Sequence, residues 1–404
     1  MGNKYDFEKV IDRSKKSGSY SSKWQGFESR FPGYDVEGAL GMWVADMDFL
    51  CPEEVIEVVK VRAEHGIYGY VSNDSIDAFK NAAQGWFQRR YGYEANTDWM
   101  IFNGGVVPVI NSAIQEFTEP GDGVIVQHPV YYPFSDGVIN CGRTLRVNQL
   151  IESNGHYSID FENLEELVKE PSTKLIILSN PHNPVGRVWS RDELMHVCEL
   201  CCENDVIILS DEIHADLIMK GHKFISAGTL SDSISENLII TFAPSKTFNI
   251  AGLGASIIVV PNNDIRKRLE KRLLMNRYPA SNVFGPIAGE AAYKYGDQYV
   301  DEVVNYIEEN IDYAIRYADE HLEGVRIIKP EGTYLVWFDF RGTGLSSKEI
   351  YSLILEEAKI AVDIGEWFGA GGDGFARFNF ACPRATVVEA MERLKTAIGS
   401  IQAI

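Results

Sequence analysis

Short runs of branched apolar residues recur along the middle of the chain and constrain its fold more than any other feature. Each run is apolar at successive positions, so a strand formed there would be buried on both faces. Helix-like segments separate the runs; one begins at Ser190, with Glu193 three residues later, the pattern of a capping box. This alternation predicts an α/β fold with a mostly parallel sheet between helices. The apolar runs are residues 123–126, 174–178, 206–209, 238–240 and 256–260.

The pattern changes after about residue 296. One long amphipathic segment, residues 298–321, is followed by two strand-like segments, residues 325–328 and 334–340, and by further helices. We therefore expect a large domain over residues 51–295 and a smaller α+β domain formed by residues 1–50 and 296–404.

Charge and composition exclude several classes of partner. The chain has 38 Lys and Arg residues against 58 Asp and Glu, a net charge of −20 at pH 7. Because this excess repels polyanions, we expect neither nucleic acid nor a membrane surface as a partner. The apolar runs are far shorter than the roughly 20 residues that span a bilayer, and the first residues lack an apolar signal core, so we expect a cytoplasmic protein.

Four motifs follow predicted strands, at the edge where open parallel sheets bind ligands. A glycine turn that leads into a helix offers free N–H groups and a positive dipole end to a phosphate. Prolines and a glycine fix a rigid loop that presents an amide side chain. The last two motifs place a carboxylate and a lysine after buried strands. In order they are Asn103-Gly-Gly-Val-Val-Pro108, Asn180-Pro-His-Asn-Pro-Val-Gly186, Ser210-Asp-Glu-Ile-His-Ala-Asp216 and Ala243-Pro-Ser-Lys-Thr-Phe-Asn249.

The order of these motifs resembles that of the fold-type I pyridoxal phosphate enzymes in the class I/II aminotransferase family. More narrowly, four segments resemble the MalY/PatB-type cystathionine β-lyase branch, and the match runs from about residue 5 to the end. The resemblance implies a fold-type I architecture and pyridoxal 5′-phosphate as cofactor. The four segments are Trp43-Val-Ala-Asp-Met-Asp-Phe49, Gly66-Ile-Tyr-Gly-Tyr70, Asp211-Glu-Ile-His214 and Pro244-Ser-Lys-Thr-Phe-Asn-Ile-Ala-Gly252.

Two residues carry chemistry that such a cofactor needs. The amine of Lys246 can hold an aldehyde cofactor covalently and later remove the Cα proton of the substrate. The carboxylate of Asp211 can keep a pyridine nitrogen protonated, so that the ring withdraws electron density from Cα. The alternatives are a surface lysine and a helix-capping or ion-paired aspartate.

The resemblance also assigns contacts to the cofactor ring and to the substrate. It implies that Asn183 donates to the phenolic oxygen of the cofactor and contacts the substrate. It implies that Tyr131 stacks on the ring and assists catalysis, with Tyr132 as the competing candidate. Arg377 should bind the substrate carboxylate through a bidentate fork; Arg384 is the alternative.

The phosphate contacts follow from the same resemblance. Gly105 and Val106 should offer backbone N–H groups, and Ser245 its hydroxyl. Tyr70 should reach the phosphate from a partner subunit, which implies a homodimer with shared active sites. The resemblance also assigns His214 to the cofactor; it stands three residues after Asp211, where aminotransferases often have a tyrosine and the lyase branch has a histidine.

Two positions depart from the family pattern. Many members have a hydroxyl three residues before the lysine and an arginine eight residues after it; this chain has Ala243 and Gly254. Phosphate binding should therefore depend on the remaining donors. A metal site is the alternative interpretation of the acids and histidines, but no metal-binding spacing supports it, so we expect no metal. The alternative ligands are His182, Asp211, Glu212 and His214.

These observations favour a homodimeric pyridoxal phosphate enzyme that eliminates a thiol from cysteine S-conjugates, and a class I/II aminotransferase is the alternative. A non-catalytic regulator with this fold would be expected to lack the lysine. No second arginine can be assigned to a side-chain carboxylate, which favours neutral or thioether side chains in the substrate. Trp367 and Phe368, just before a glycine-rich loop, are candidates to line a roomy pocket.

Overall fold

The computed structural model describes residues 4–13, 15–276 and 282–402 of the 404-residue chain. Each predicted apolar run lies in a strand, within about two residues of the predicted bounds. The strands are β1 (Leu40–Gly41), β2 (Met100–Asn103), β3 (Gly123–Val126), β4 (Thr144–Val147), β5 (Ile151–Ser153), β6 (His156–Ser158), β7 (Thr173–Ser179), β8 (Ile207–Asp211), β9 (Leu238–Phe242), β10 (Ser256–Val259), β11 (Arg326–Ile328), β12 (Leu335–Asp339), β13 (Ile360–Ala361), β14 (Asp363–Ile364) and β15 (Phe375–Asn379).

Helices connect most of these strands. The capping box of Ser190 and Glu193 forms as predicted, with both reciprocal hydrogen bonds present. Within the described ranges, none of the helices combines the length and the apolar character that crossing a membrane requires. The helices are α1 (Ser22–Gln25), α2 (Phe27–Arg30), α3 (Glu53–Glu64), α4 (Asn73–Tyr91), α5 (Val106–Phe117), α6 (Pro133–Asn140), α7 (Phe161–Lys169), α8 (Arg191–Glu203), α9 (Asp232–Ser235), α10 (Pro244–Thr247), α11 (Asn263–Asn276), α12 (Gly285–Tyr295), α13 (Asp297–His321), α14 (Ser347–Ser352) and α15 (Arg384–Gln402).

A seven-stranded sheet with strand order β2-β10-β9-β8-β7-β3-β4 forms the centre of the molecule. The pairs from β9 through β8, β7 and β3 to β4 are parallel. Strand β10 is antiparallel to both of its neighbours, β9 and β2. The prediction of a mostly parallel sheet is therefore confirmed, with β10 as the exception.

Apolar side chains pack on both faces of this sheet. Along β7, Ile176 and Leu178 join one core together with residues of α4, α8 and α12. Leu175 and Ile177 join a second core with residues of α5, α6 and α11. The continuous apolar runs in the sequence therefore reflect strands covered by helices on both sides.

A second, four-stranded antiparallel sheet has the order β11-β12-β15-β14. Near it, β1 pairs in parallel with β13, so a segment before residue 50 joins the C-terminal part of the chain. This pairing has the connectivity expected of a small domain built from both ends. The domain boundaries themselves, at residues 50 and 295, stay predictions.

The loop after β7 is hydrogen-bonded at Gly186 to the segment that precedes β12. The carbonyl of Gly186 accepts hydrogen bonds from the N–H groups of Glu331 (2.8 Å) and Gly332 (3.0 Å). Gly186 has φ +74°, and a Cβ at this position would lie 2.5 Å from Cβ of Pro330. Glycine is required here for both reasons, and the contact holds in place the loop that carries Asn183.

Substitution of Gly186 should therefore be more destabilising than that of a glycine with the same backbone conformation in open space. Gly142 is the matched control, because its φ is +70° and nothing lies within 4 Å of a Cβ built there. Gly186→Ala should lower the free energy of unfolding by at least about 1 kcal/mol more than Gly142→Ala, because only the first also forces overlap with Pro330. Urea denaturation of the two variants measures the difference, and equal losses would contradict the steric argument.

Candidate active site

The carboxyl ends of four strands meet at one edge of the seven-stranded sheet. Strands β7, β8 and β9 are parallel neighbours, so Asn183, Asp211 and Lys246, which lie at or just after their ends, are brought together. Strand β2 runs in the same direction because β10 is antiparallel to both β9 and β2. The glycine turn after β2 therefore reaches the same edge. This is the position at which α/β sheets commonly bind ligands.

A cavity of about 190 Å³ lies at this edge, and eight of the ten predicted site residues line it. Arg377 lies directly behind the lining, where it contacts Asn183. Tyr70 is fully exposed and lies outside the cavity. Of the two adjacent tyrosine candidates, Tyr131 lines the cavity and Tyr132 does not. The eight residues are Gly105, Val106, Tyr131, Asn183, Asp211, His214, Ser245 and Lys246.

Asp211 is a buried carboxylate at the end of β8. Its Oδ1 accepts hydrogen bonds from the Thr241 hydroxyl (2.9 Å) and from the N–H of Ile213 (3.4 Å). Burial raises the pKa of Asp211 to about 6, although these bonds and the charge of Lys246 oppose the rise. A cation bound beside Asp211 would therefore stabilise its ionised form strongly. Thr241 was not among the residues predicted from the sequence, although its hydroxyl in an otherwise apolar strand was an available signal.

The amine of Lys246 lies in the same cavity and donates a hydrogen bond to the carbonyl of Ala45 (2.8 Å). Burial, together with the charge of Arg377, lowers the pKa of Lys246 to about 8, although Asp46 and Asp211 act in the opposite direction. A larger fraction of the amine is therefore neutral near physiological pH than in a solvated lysine. A neutral amine is the form that acts as a nucleophile or as a base.

One end of the cavity is suited to an anion. Helix α5 begins at Val106 with Gly105 as its N-cap and has no acidic residue in its first turn. Its free N–H groups and the positive end of its dipole lie where Ser245 also lines the cavity.

Gly254 explains one departure from the family pattern. Its φ is +59°, and a Cβ at this position would lie 3.1 Å from the carbonyl oxygen of Gly104 in the turn before α5. A side chain here would need a left-handed backbone and a shift of that turn by a few tenths of an ångström, so glycine suits this position.

Arg377 is buried on β15 and is held by three acceptors. Its Nη1 donates to Oδ1 of Asn183 (3.0 Å), and its Nη2 donates to the carbonyl of Trp43 (3.0 Å) and to Asp363. Its Nε is buried without a partner among the described residues. Because Oδ1 of Asn183 accepts from Arg377, the amide nitrogen of Asn183 is the group left to donate into the cavity. Asp363 was not among the residues predicted from the sequence, although it is a lone acid in an apolar segment.

The other arginine candidate, Arg384, lies away from the cavity. It begins α15, its backbone N–H donates to the Tyr306 hydroxyl, and its guanidinium donates to Asn310. Of the two arginine candidates, Arg377 therefore lies beside the cavity and Arg384 does not.

Two of the side chains that were considered as metal ligands, Glu212 and His182, are engaged in hydrogen bonds within the protein. Glu212 accepts hydrogen bonds from Ser210 (2.9 Å) and from the N–H of Ala227 (2.8 Å), and His182 contacts the carbonyl of Pro129 (2.9 Å). Over the described ranges, no group of three or more His, Cys, Asp or Glu side chains is arranged to hold a metal ion. His214 lines the cavity, and burial lowers its pKa to about 3, so its ring is neutral.

The fold and this cavity define a class of protein: residues 39–394 match the family of class I and II aminotransferases, and the chain belongs to that family. It is 43% identical over 386 residues to the cystathionine β-lyase PatB of Bacillus subtilis, covering 96% of this chain and 98% of PatB. The structure is similar to that of cystalysin from Treponema denticola, which contains pyridoxal 5′-phosphate (TM-score 0.93, 36% identity, 98% and 99% coverage). It is also similar to a pyridoxal phosphate-bound C–S lyase from Staphylococcus hominis (TM-score 0.88, 28% identity, 98% of both chains). The predicted family and lyase branch are confirmed.

The electrostatic environment of Lys246 can be measured directly. In protein freed of bound small molecules, acetylation of Lys246 should rise with pH around a midpoint near 8, well below the ordinary value of 10.5. Arg377→Met should raise the midpoint because a positive neighbour is lost, and Asp211→Asn should lower it because a negative neighbour is lost. Mass spectrometry of the peptide containing Lys246 follows the reaction. Arg384→Met is the control that should leave the midpoint unchanged, and a wild-type midpoint above 10 would refute the assignment.

Proposed function

We propose that this protein is a pyridoxal 5′-phosphate-dependent carbon–sulfur β-lyase that converts cysteine S-conjugates such as cystathionine into a thiol, pyruvate and ammonia. The observation that carries the proposal is the meeting of Lys246, Asp211 and an anion-binding helix terminus in one cavity, with Arg377 beside it. The near full-length similarity to a cystathionine β-lyase supports the same reaction.

The cavity fits each part of the cofactor. The amide groups at the start of α5 and the Ser245 hydroxyl would hold the phosphate. Tyr131 would pack on the ring, and the amide nitrogen of Asn183 would donate to its phenolic oxygen. His214, whose Nδ1 is buried without a partner among the described residues, is available for a further polar contact. The bound cofactor supplies an electron-withdrawing ring that stabilises negative charge developing at the substrate Cα.

Asp211 would hold the ring nitrogen in its protonated form. Because burial raises the pKa of Asp211, its carboxylate is ionised most favourably when a positive group lies next to it. The hydrogen bond from Thr241 fixes the orientation of the carboxylate. The two residues together would keep the proton on the ring nitrogen throughout the reaction.

Lys246 would act as the base. Its amine, with a pKa lowered to about 8, can accept the Cα proton of a substrate whose carboxylate is held by Arg377. The carbonyl of Ala45 orients the amine. Loss of the Cα proton is followed by departure of the thiolate from Cβ with the bonding electrons, and hydrolysis of the three-carbon remainder yields pyruvate and ammonia.

Aminotransferase activity is the second candidate, because the matched family is that of class I and II aminotransferases. Both reactions begin with removal of the same Cα proton by Lys246. In the lyase reaction a thiolate then leaves from Cβ. In the aminotransferase reaction the proton instead returns to a different atom, and the amino group is transferred.

A homodimer with shared active sites is part of the proposal. Tyr70 is fully exposed in the single chain, and neighbouring Ile67 and Tyr68 also expose much of their apolar surface. A groove of about 460 Å³ between α3 and α12, lined by Val58, Val61 and other residues, lies on the same part of the surface. In the proposed dimer a second copy covers these residues, and Tyr70 contacts the phosphate in the partner's cavity, as the family resemblance implies. The net charge of the protein is −20, which disfavours nucleic acid and anionic membranes as partners and is compatible with a small amino acid as substrate.

The reaction type can be decided with cystathionine as the sole substrate. The enzyme should release homocysteine and pyruvate without any added oxo acid, and Lys246→Ala, the control, should release neither. Pyruvate is measured with lactate dehydrogenase and the thiol with a thiol reagent. Turnover that strictly requires 2-oxoglutarate and produces glutamate would make the enzyme an aminotransferase instead.

Sharing of the active site predicts complementation between two inactive variants. Tyr70→Phe and Lys246→Ala mixed in equal amounts under exchange conditions should regain about a quarter of wild-type activity, because half of the dimers contain one intact site of two. Tyr20→Phe is the matched control, since Tyr20 is also highly exposed and should retain full activity alone. If exchange occurs without recovery, Tyr70 does not act across the interface.

A further inference from the structure

Arg30, the last residue of α2, is held flat among three aromatic rings close to Arg377. Its guanidinium carbon lies 3.7 Å from the ring centroid of Trp367, 5.0 Å from that of Tyr132 and 5.8 Å from that of Trp43. Trp43 also provides the carbonyl that binds Arg377. Stacking on aromatic faces leaves the edge of a guanidinium free to donate hydrogen bonds.

One buried carboxylate joins Arg30 to Arg377. Oδ1 of Asp363 lies 3.5 Å from Nη2 of Arg30, and Oδ2 of Asp363 pairs with Nη2 of Arg377. Among the described residues, Asp363 is the single acid within ion-pair distance of Arg30. Two guanidinium groups therefore share one carboxylate, and the cluster of three residues has an excess of one positive charge.

Both arginines have an N–H group that lacks a hydrogen-bond partner among the described residues. The Nε atoms of Arg30 and Arg377 are each buried without a hydrogen-bond partner in the described part of the chain. The side chain of Arg30 nevertheless retains 26% of its exposure, whereas that of Arg377 retains 3%. Arg30 therefore lies on the solvent side of the cluster and Arg377 on the cavity side.

We propose that Arg30 forms a second carboxylate subsite, which binds the far end of the sulfur substituent. The inference rests on the proposed lyase function and names its substrate class: cysteine S-conjugates whose substituent ends in a carboxylate, cystathionine included. The α-carboxylate binds Arg377, and the distal carboxylate binds the N–H groups of Arg30 that Asp363 does not occupy. The two guanidinium groups contact the two oxygens of one carboxylate, so they lie close enough for a single substrate to reach both.

This subsite changes an expectation drawn from the sequence, in which no second arginine could be assigned to a side-chain carboxylate. Trp367, a candidate to line a roomy pocket, stacks on Arg30 and would lie beside the distal carboxylate. Phe368 is 1% exposed and packs against Trp337, so it belongs to the core.

Three substrates separate the role of the distal carboxylate from that of the distal amine. Cystathionine has both groups, S-(3-carboxypropyl)-L-cysteine lacks the amine, and S-(3-aminopropyl)-L-cysteine lacks the carboxylate. Arg30→Met should lower kcat/KM about tenfold or more for the first two, because a charge-assisted pair is lost, and should change it less than twofold for the third. Arg30→Lys, which keeps the charge without the fork, should give an intermediate loss.

The controls distinguish the possible failures. Arg393→Met replaces an arginine of similar exposure that pairs with Glu389, and it should leave all three substrates unaffected. If kcat/KM of Arg30→Met falls equally for all three substrates, Arg30 only positions Arg377 through Asp363. If kcat/KM does not fall for any of them, the subsite is excluded. Either result overturns the proposal.

A binding measurement keeps the inference separate from the reaction type. L-2-aminosuberate has a distal carboxylate but no sulfur, and L-2-aminooctanoate lacks both. Calorimetry with the holoenzyme should show tighter binding of the first, by about tenfold, and Arg30→Met should remove this preference. If the enzyme cleaves none of the S-conjugates, the lyase proposal fails while this comparison still decides the subsite. An unchanged preference in Arg30→Met would refute the subsite whatever the reaction.

Discussion

The parallel pairing of β7, β8 and β9 is the constraint on which the site depends. It brings the carboxyl ends of three strands to one edge, where their following residues converge although they are far apart in sequence. Helices cover both faces of the sheet, so polar groups at this edge are partly or wholly withdrawn from water. The same packing that stabilises the fold therefore raises the pKa of Asp211 and lowers that of Lys246.

The charges around the cavity form two linked sets. Asp211 and Lys246 oppose each other across the proposed ring site, and Arg377 and Asp363 form a buried pair behind it. Asn183 connects the sets, because its Oδ1 binds Arg377 while its amide nitrogen is left for the cavity. In the proposed function, Asn183 would therefore connect substrate binding at Arg377 with the contacts to the cofactor ring.

Local sequence patterns sufficed to locate much of this arrangement. Asp211 ends one apolar strand and Lys246 follows another, and the family resemblance added Arg377. The strands, the edge of the sheet at which they end and these three residues could therefore be predicted from the sequence. Strand β10 was not predicted as antiparallel, because a run buried on both faces has the same composition in either direction. Contacts between distant segments were also beyond sequence reasoning: Arg30 and Asp363 are 333 positions apart and become partners only through tertiary packing.

The close approach of Gly254 to Gly104 links two features of the anion-binding end of the cavity. A side chain at position 254 would need a left-handed backbone at φ +59° and would lie 3.1 Å from the carbonyl oxygen of Gly104, so the turn before α5 would have to give by a few tenths of an ångström. An arginine introduced there would therefore change this end of the cavity in two ways, through its charge and through the position of the turn that leads into the amide groups of α5. The contribution of the charge alone could not be read from such a variant without a neutral side chain at the same position for comparison.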